Sequence, residues 1–443
     1  MIHQKRTLLV LGGSTDQLFL IRTAQELALS VLCLDQDGEA PGFAEAEESA
    51  CVSTRDVPAL IAFLEQRRAA GGTLAGVLTM GSDIPDVLAA VAAHFGLAGP
   101  SRECARLATD KFAMKQRFQE CGVPIPWFAE VRSLAELRAH LAQRGKLVLK
   151  PVDRSGSRGV FVLDVKKDAA KNDAVKNDAA KNDAAKSDGG KSDPAELYQV
   201  SRGFSFSGRV QVEEYLEGPQ ISSEAILWDG RAVVPGFADR NYELAARFHP
   251  QVMENGGEVP SVFTGAERRS LEQATVQAAR ALGIQRGSAK GDLVWTAAGP
   301  KVIEVAARLS GGDLCDSLVL FSSGVNYVRA AIRIALGEEP DWAELEPRVG
   351  QVQRHVANRY FFPEPGRLVA LENADKVRAQ PWVRKLKFNY RLGEIVPPTS
   401  SHAQRFGNFL VAATDREALA RRIEWVYRTL RIVTRPEPVA ASA

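Results

Sequence analysis

The sequence predicts a multidomain chain that opens as α/β and continues as α+β, and three observations support this. Apolar strands alternate with helical patterns over roughly the first hundred residues. Beyond them, strands come in pairs around glycine-rich turns. At 443 residues the chain is also too long for one hydrophobic core and has room for two or three domains.

The first block sets strands near Leu8–Leu11, Val31–Leu34, Ala50–Ser53 and Gly76–Thr79 between helical segments such as Val57–Arg68 and Ile84–Phe95. That alternation means a parallel sheet with helices on both faces. Its opening stretch, LLVLGGSTDQLFL, is followed about twenty residues on by an apolar strand ending at Asp35, as in a dinucleotide-binding unit. Such a unit needs glycine at three places, and here Gly12 is followed by Ser14 and Gln17 at the second and third. A side chain at either place keeps backbone from a pyrophosphate or a helix from its strand. An NAD-linked oxidoreductase is therefore disfavoured.

The stretch SRECARLATDKFAMKQRFQECGVPIPWF gives two helices, the second opened by Asp110 and closed at Gly122, with Pro124 and Pro126 forcing the chain extended. It reads as a joint between domains. Strands, loops and turns of mixed α+β character follow to about Gly337, and a smaller unit of strands and helices begins near Pro340. The expected division is 1–105, 106–338 and 339–443. Inside the second unit, residues 166–193 form a five-residue lysine–aspartate repeat with almost nothing apolar to bury. It cannot offset its own ordering entropy, and its period turns about 140° round a helix per unit, so a solvated, mostly disordered loop is expected.

Composition excludes several function classes. A net charge of only +2, with no long one-signed patch beyond an arginine-rich C-terminal helix, asks for neither nucleic acid nor an anionic membrane. Cys33, Cys51, Cys104, Cys121 and Cys315 are scattered and never paired as CxxC, so they read as small core residues in a reducing compartment. The apolar run at the start is too short for a signal-peptide core and no segment approaches a membrane span, which places the chain in the cytoplasm.

Four pieces carry chemistry. In GDLVWTAAGPKVIEVAAR the turn centres near Ala298, so Asp292 and Glu304 fall opposite each other. Two like charges across a ladder repel unless a cation such as Mg²⁺ lies between them; the alternatives are a solvated pair on the outer face or a register slipped by one residue. Glu304, Ala306 and Arg308 then share a face, and Arg308 leads into Ser310, Gly311 and Gly312, an arginine followed by a loop rich in N–H donors for an anion. The second piece is LVLKPVDRSGSRGV. Lys150 ends a strand, and the loop from Ser155 through Gly156 and Ser157 to Gly159 can cover phosphates or simply turn a hairpin. Third, Lys111 sits in the first turn of a helix, where a lysine is usually solvated. The fourth piece, VQVEEYLEG, puts Glu213 and Glu214 at a strand end, where extended backbone could meet the edge of an adenine between Tyr215 and Leu216, or where the chain is an ordinary edge strand.

None of these is specific alone, but their order is. DKFAMKQRFQECGVPIP, VLKPVDRSGSRGV, VEEYLEG, GDLVW and IEVAARLSGGD follow one another as in the ATP-grasp superfamily, which the chain resembles over nearly its whole length. It is most similar to the carboxylate–amine ligase branch that includes L-amino-acid ligases. The resemblance implies a Rossmann-like first domain that binds no nucleotide, an ATP-grasp domain and a small C-terminal α+β unit. In that likeness Lys111 and Lys150 contact ATP phosphates and the Ser155–Gly159 loop closes over them. Glu213 to Leu216 hold adenine, and Asp292 and Glu304 bind Mg²⁺, with Mn²⁺ as an alternative ion. Arg308 and the Ser310–Gly312 loop hold a carboxylate as it becomes an acyl phosphate. Two positions depart from the usual pattern: Ala306 stands where many members have a metal-binding asparagine, and Gln220 where relatives often have a ribose-binding glutamate, with Glu224 as a nearby substitute.

The activity this implies is an ADP-forming ligase joining a small carboxylate, an amino acid or similar acid, to an amine. A homodimer fits the same likeness. The competing expectation is a regulator that keeps the fold and binds nucleotide without turnover.

Overall fold

A computed structural model describes residues 6–165, 193–347 and 354–436 of the chain. Four sheets organise it. The first holds β1 (Thr7–Leu11), β2 (Ser30–Asp35), β3 (Glu48–Cys51) and β4 (Gly76–Leu78), all parallel, in the order β3-β2-β1-β4. Both faces are covered, as the uninterrupted apolar strands require. Leu9, Leu11, Leu32 and Leu34 pack with Leu60, Leu64 and Val87, while Leu8, Val10, Val31 and Cys33 pack on the opposite face. Each such fully buried leucine contributes on the order of 1.5–3 kcal/mol of transfer free energy.

The turn GGSTDQ after β1 explains why the fingerprint is broken. Gln17 is buried and is locked to the end of β4, accepting from the Met80 N–H at 3.0 Å and donating to the Met80 carbonyl. The Gly13 N–H is spent on the Asp35 carboxylate at 2.6 Å, and a Cβ on Gly13 would lie 2.8 Å from that of Ala40. The Gly13 N–H and the Gln17 side chain are thus already committed within the chain.

A second sheet, β5 (Phe128–Val131), β6 (Lys146–Pro151), β7 (Phe161–Asp164) and β8 (Val210–Glu214), runs in the order β5-β8-β6-β7 and is backed by helices Leu134–Arg144 and Pro194–Phe204. The repeat expected as a loop between β7 and the second of these helices lies outside the described residues except for Asp193, whose side chain caps that helix. Strands β9 (Gln220–Trp228), β10 (Arg231–Arg240), β11 (Gly257–Val259), β12 (Arg286–Thr296) and β13 (Gly299–Ala306) begin the largest sheet, and helix Gly265–Ala281 packs against it.

The chain beyond residue 354 supplies β14 (His355–Phe361), β15 (Gly366–Glu372), β16 (Val383–Phe388), β17 (Ile395–Val396), β18 (Gly407–Ala413) and β19 (Arg431–Arg435). Three of these extend the large sheet to eight strands, β13-β12-β9-β10-β11-β14-β18-β16, through the antiparallel pair β11–β14. The other three form the small sheet β17-β15-β19. We propose the divisions at 105/106 and 338/339 from the order of elements along the chain, while backbone hydrogen bonds run through the second of them.

Among the cysteines, Cys33, Cys104 and Cys315 are buried, but Cys51 and Cys121 are exposed, which corrects the expectation that all are core residues. All five are free thiols. Among the described residues no helix is long and apolar enough to cross a membrane.

Candidate functional site

The four-stranded β5–β8 sheet and the large sheet line a common cavity of about 650 Å³. Strand alternation decides which side chains enter it: Lys146, Val148 and Lys150 of β6, Gln220 and Ser222 of β9, and Lys290, Asp292 and Val294 of β12 each share one face. Lys111 reaches it from the first residue of helix Lys111–Glu120, whose N-cap Asp110 accepts from the N–H groups of Phe112 and Ala113.

Asp292 and Glu304 are opposite each other, but not for the reason the turn suggested. Thr296 pairs with Gly299 across a two-residue loop, a register that carries Leu293 onto Val302. Continued, it would set Asp292 against Ile303. A bulge between Asp292 and Leu293 shifts the pairing by one, so Asp292 meets Glu304, and Ile303 and Glu304 both line the cavity.

Each carboxylate is met by cations. Asp292 accepts from Arg240 at 2.9 Å, from the Ser222 hydroxyl at 2.9 Å and from Lys290. Burial pushes its carboxyl up, but Arg240 and Lys290 outweigh burial and hold it well below the usual range. Glu304 lies 3.6 Å from Lys111. Burial raises its carboxyl too, and Lys111 and Lys150 overcome that, so it stays ionised. Lys150 pairs with Glu213 at 2.8 Å, and the wholly buried Lys115 approaches the same carboxylate at 3.5 Å while donating to the Val302 carbonyl at 3.0 Å. Burial drives the Lys115 ammonium down to about 8 against the pull of Glu213.

Arg308 also lines the cavity, and its Nε donates to Asp83 at 2.6 Å. Asp83 comes from the loop after β4, where Met80 bridges Leu309 and the Gly81 N–H donates to the Leu309 carbonyl at 3.1 Å. A Cβ on Gly81 would stand 3.2 Å from the Gly311 Cα, so two glycines let the first unit and the Ser310–Gly312 loop touch. Burial raises the Asp83 carboxyl, but Arg308 and Lys111 bring it down to about 2.

Glu224 is buried and does not line the cavity. It shares the face of Gln220 and Ser222, but the Ser310 N–H donates to it at 2.9 Å and the Tyr327 hydroxyl at 3.0 Å, which seals it off beneath the loop. Gly236 leaves it room, since a Cβ there would lie 2.9 Å from the Glu224 Cβ. Gly159 is likewise set back. It does not line the cavity, and at φ +71 it packs against Pro151 and Phe204 as the base of the loop. Ser155, Gly156 and Ser157 do line it, with Ser157 in a left-handed conformation at φ +56. Lys111 steadies this loop by donating to the Arg154 carbonyl at 2.9 Å.

The Glu213–Leu216 segment lines the cavity, but β8 is an inner strand, not an edge. The Glu214 N–H donates to Trp127 at 2.9 Å and its side chain pairs with Lys301 at 3.1 Å. Tyr215 and Leu216, which follow it, make no backbone hydrogen bond among the described residues. The Lys146 ammonium sits 3.5 Å over the Tyr215 ring.

The donor set fits a magnesium ion that arrives with phosphates. Among the described residues no cluster of three or more histidine, cysteine or acidic side chains could hold a metal unaided. Glu304 has an oxygen to offer, while Asp292 already accepts three bonds and a carboxylate has about four acceptor positions. One or two carboxylates completed by phosphate and water oxygens is how Mg²⁺ usually binds.

Sequence reasoning missed Asp83, Lys115, Arg240, Glu254, Lys290, His402 and Arg405. Lys290 alone had a local signal, standing two residues before Asp292 on the same strand face. The rest arrive through long-range packing. Half-buried His402 lies beside Arg405, and desolvation with that charge brings its imidazole down to about 3, so it is neutral at physiological pH.

Over residues 359–435 the chain matches the family described as L-amino acid ligase C-terminal domain 2. The uncharacterized protein y4rH of Sinorhizobium fredii is 25% identical over 418 residues, 94% of this chain and 80% of that protein. Among solved structures, the L-amino acid ligase from Bacillus licheniformis superposes with a TM-score of 0.76 at 20% identity, covering 98% of this chain and 100% of that one. Phosphoribosylglycinamide synthetase from Anaerococcus prevotii gives 0.69 at 17% identity, covering 98% and 100%. Residues 359–435 thus resemble an L-amino acid ligase domain, and over nearly its whole length the chain has the fold of these two solved enzymes.

Proposed function

We propose that the protein is an ATP-dependent ligase that activates a small carboxylate as an acyl phosphate and joins it to an amine, releasing ADP and phosphate. The observation that carries this reading is the convergence in one cavity of Lys111, Lys150 and the Ser155–Ser157 loop with the Asp292–Glu304 pair and Arg308.

In the proposed reaction a carboxylate oxygen attacks the γ-phosphorus of ATP in line and the bond to the β-phosphate oxygen breaks, giving ADP and an acyl phosphate. Negative charge spreads over the phosphoryl oxygens as it does so, and fixed cations lower that barrier. Lys111 and Lys150 supply them from the loop side, and Arg308, aimed by Asp83, grips the carboxylate. Glu304 with Asp292 would hold Mg²⁺, which when bound adds charge neutralisation at the phosphates. The amine then attacks the carbonyl carbon, loses a proton and expels phosphate. Acyl phosphates hydrolyse in open water, so the loop from Ser155 serves as a cover.

The test is release of ADP and phosphate from ATP with a panel of amino acids as acid and amine. Amino-acid-dependent release supports the ligase. ATP binding with no release under any pair would favour the non-catalytic regulator.

A further inference from the structure

Lys115 carries a charge that the proposed reaction does not use. It is wholly buried and is no part of the cavity lining, whereas Lys150 and Glu213 both belong to that lining. Lys115 stands one helical turn beyond Lys111, so helix Lys111–Glu120 sends one lysine into the cavity and the next into the protein interior. A buried ammonium is costly to keep, and a methionine would fill the same space without that cost. Its surroundings must therefore account for the charge.

Lys115 faces an oxygen that already has partners. Glu213 Oε1 accepts from Lys150 at 2.8 Å and from the Gln211 amide at 2.8 Å, and the Lys115 ammonium approaches the same atom at 3.5 Å. Two ammonium groups thus share one carboxylate, and the three groups together carry a single positive charge. The closer bond of Lys115 is to the Val302 carbonyl at 3.0 Å, so its position beside Glu213 does not depend on Lys150.

That sharing bears on what Lys150 can do. An ammonium held at 2.8 Å by a carboxylate has much of its charge cancelled, and a phosphate gains that charge only as the pair loosens. Loosening it would leave Glu213, only 3% exposed, as an uncompensated charge away from water. A second ammonium already held beside the same oxygen removes that penalty. We infer that Lys115 is a positioning residue, the standing counter-charge of Glu213, and that by neutralising Glu213 it frees Lys150 for the phosphates of ATP. Lys115 itself touches no substrate. This rests on the reading of Lys150 as a phosphate contact in the ligase proposed above, and it explains why a second, hidden lysine accompanies it.

The test is a double-mutant cycle read by calorimetric titration with the ATP analogue adenylyl imidodiphosphate and Mg²⁺, so that neither turnover nor the identity of the acid and amine enters. Lys115→Met should weaken binding by about tenfold or more. Lys115→Gln, which keeps a donor for the Val302 carbonyl but loses the charge, should do the same. In a Glu213→Gln background there is no carboxylate to neutralise, and adding Lys115→Met should change the affinity by no more than about threefold. A lysine that only packs the two sheets together would cost the same in both backgrounds. The dissociation constant reports the folded fraction alone, and the stoichiometry reports how large that fraction is. Should Lys115→Met fail to fold with Glu213 present, the two Glu213→Gln proteins still decide: a tenfold difference between them overturns the assignment, and near-equal affinities uphold it. Parent-like affinity in Lys115→Met, recovery in Lys115→Gln, or an equal loss in both backgrounds also overturns it. A parent that binds no analogue overturns the ATP-dependent reading instead.

Discussion

Asp292 faces Glu304 because Ile303 is an extra residue in its strand. The hairpin register set by the turn would have put an isoleucine opposite the aspartate, and the bulge brings a second carboxylate into the cavity instead.

Glu304 is the carboxylate with an oxygen still to offer. Glu304→Ala should abolish turnover while the fold survives, since losing one stabiliser of developing phosphoryl charge costs ~10²–10³ in rate. Near-parent kcat at saturating Mg²⁺, with an unchanged circular dichroism spectrum, would remove Glu304 from the metal site.

Arg308→Lys should lower kcat by a similar factor, because an ammonium cannot reproduce a planar fork aimed by Asp83. Asp83→Asn keeps the shape and loses the charge, so a smaller drop of about tenfold is expected. Steady-state rates equal to the parent for the lysine variant would make Arg308 a structural partner of Asp83 only.

Glu224 should behave as a buried support for the loop. Glu224→Ala leaves the Ser310 N–H without its acceptor and should cost about 1–3 kcal/mol of stability, measured by denaturant unfolding. Glu224→Gln should keep the apparent ATP affinity within about threefold. A tenfold weaker ATP affinity in the glutamine variant would return Glu224 to the nucleotide site.

Lys115 links stability to alkaline pH. Its ammonium titrates near 8 in the folded chain against an ordinary 10.5, so between those values the unfolded chain binds more protons. Stability from this group therefore rises with pH across that window, by at most a few kcal/mol. Lys115→Met should flatten the rise in unfolding free energy between pH 8 and 10.5. An identical slope in both proteins would show that the shift is absent.

Much of the site was legible because local rules fix it. Asp110 at a helix N-cap places Lys111, a strand end places Lys150, and a short hairpin places the two carboxylates near each other. The depth of Glu224 was not legible, because a period of two gives a strand face but not depth: Gln220 and Ser222 line the cavity, and Ser310 covers the third residue on that face. Asp83, Arg240 and Arg405 were invisible, since a loop of the first sheet, the end of β10 and a C-terminal turn meet only when the sheets assemble. The third unit was expected only as a smaller set of strands and helices from near Pro340, and the pairing of its β14 with β11 is a long-range contact that no local pattern encodes.

The central claim is that a carboxylate is activated by transfer of the γ-phosphoryl group. With a carboxylate substrate labelled with heavy oxygen, one labelled atom should appear in the released phosphate for each amide formed, read by mass spectrometry of the phosphate. ADP and product formed with unlabelled phosphate would contradict the acyl-phosphate route and the roles given to Glu304 and Arg308.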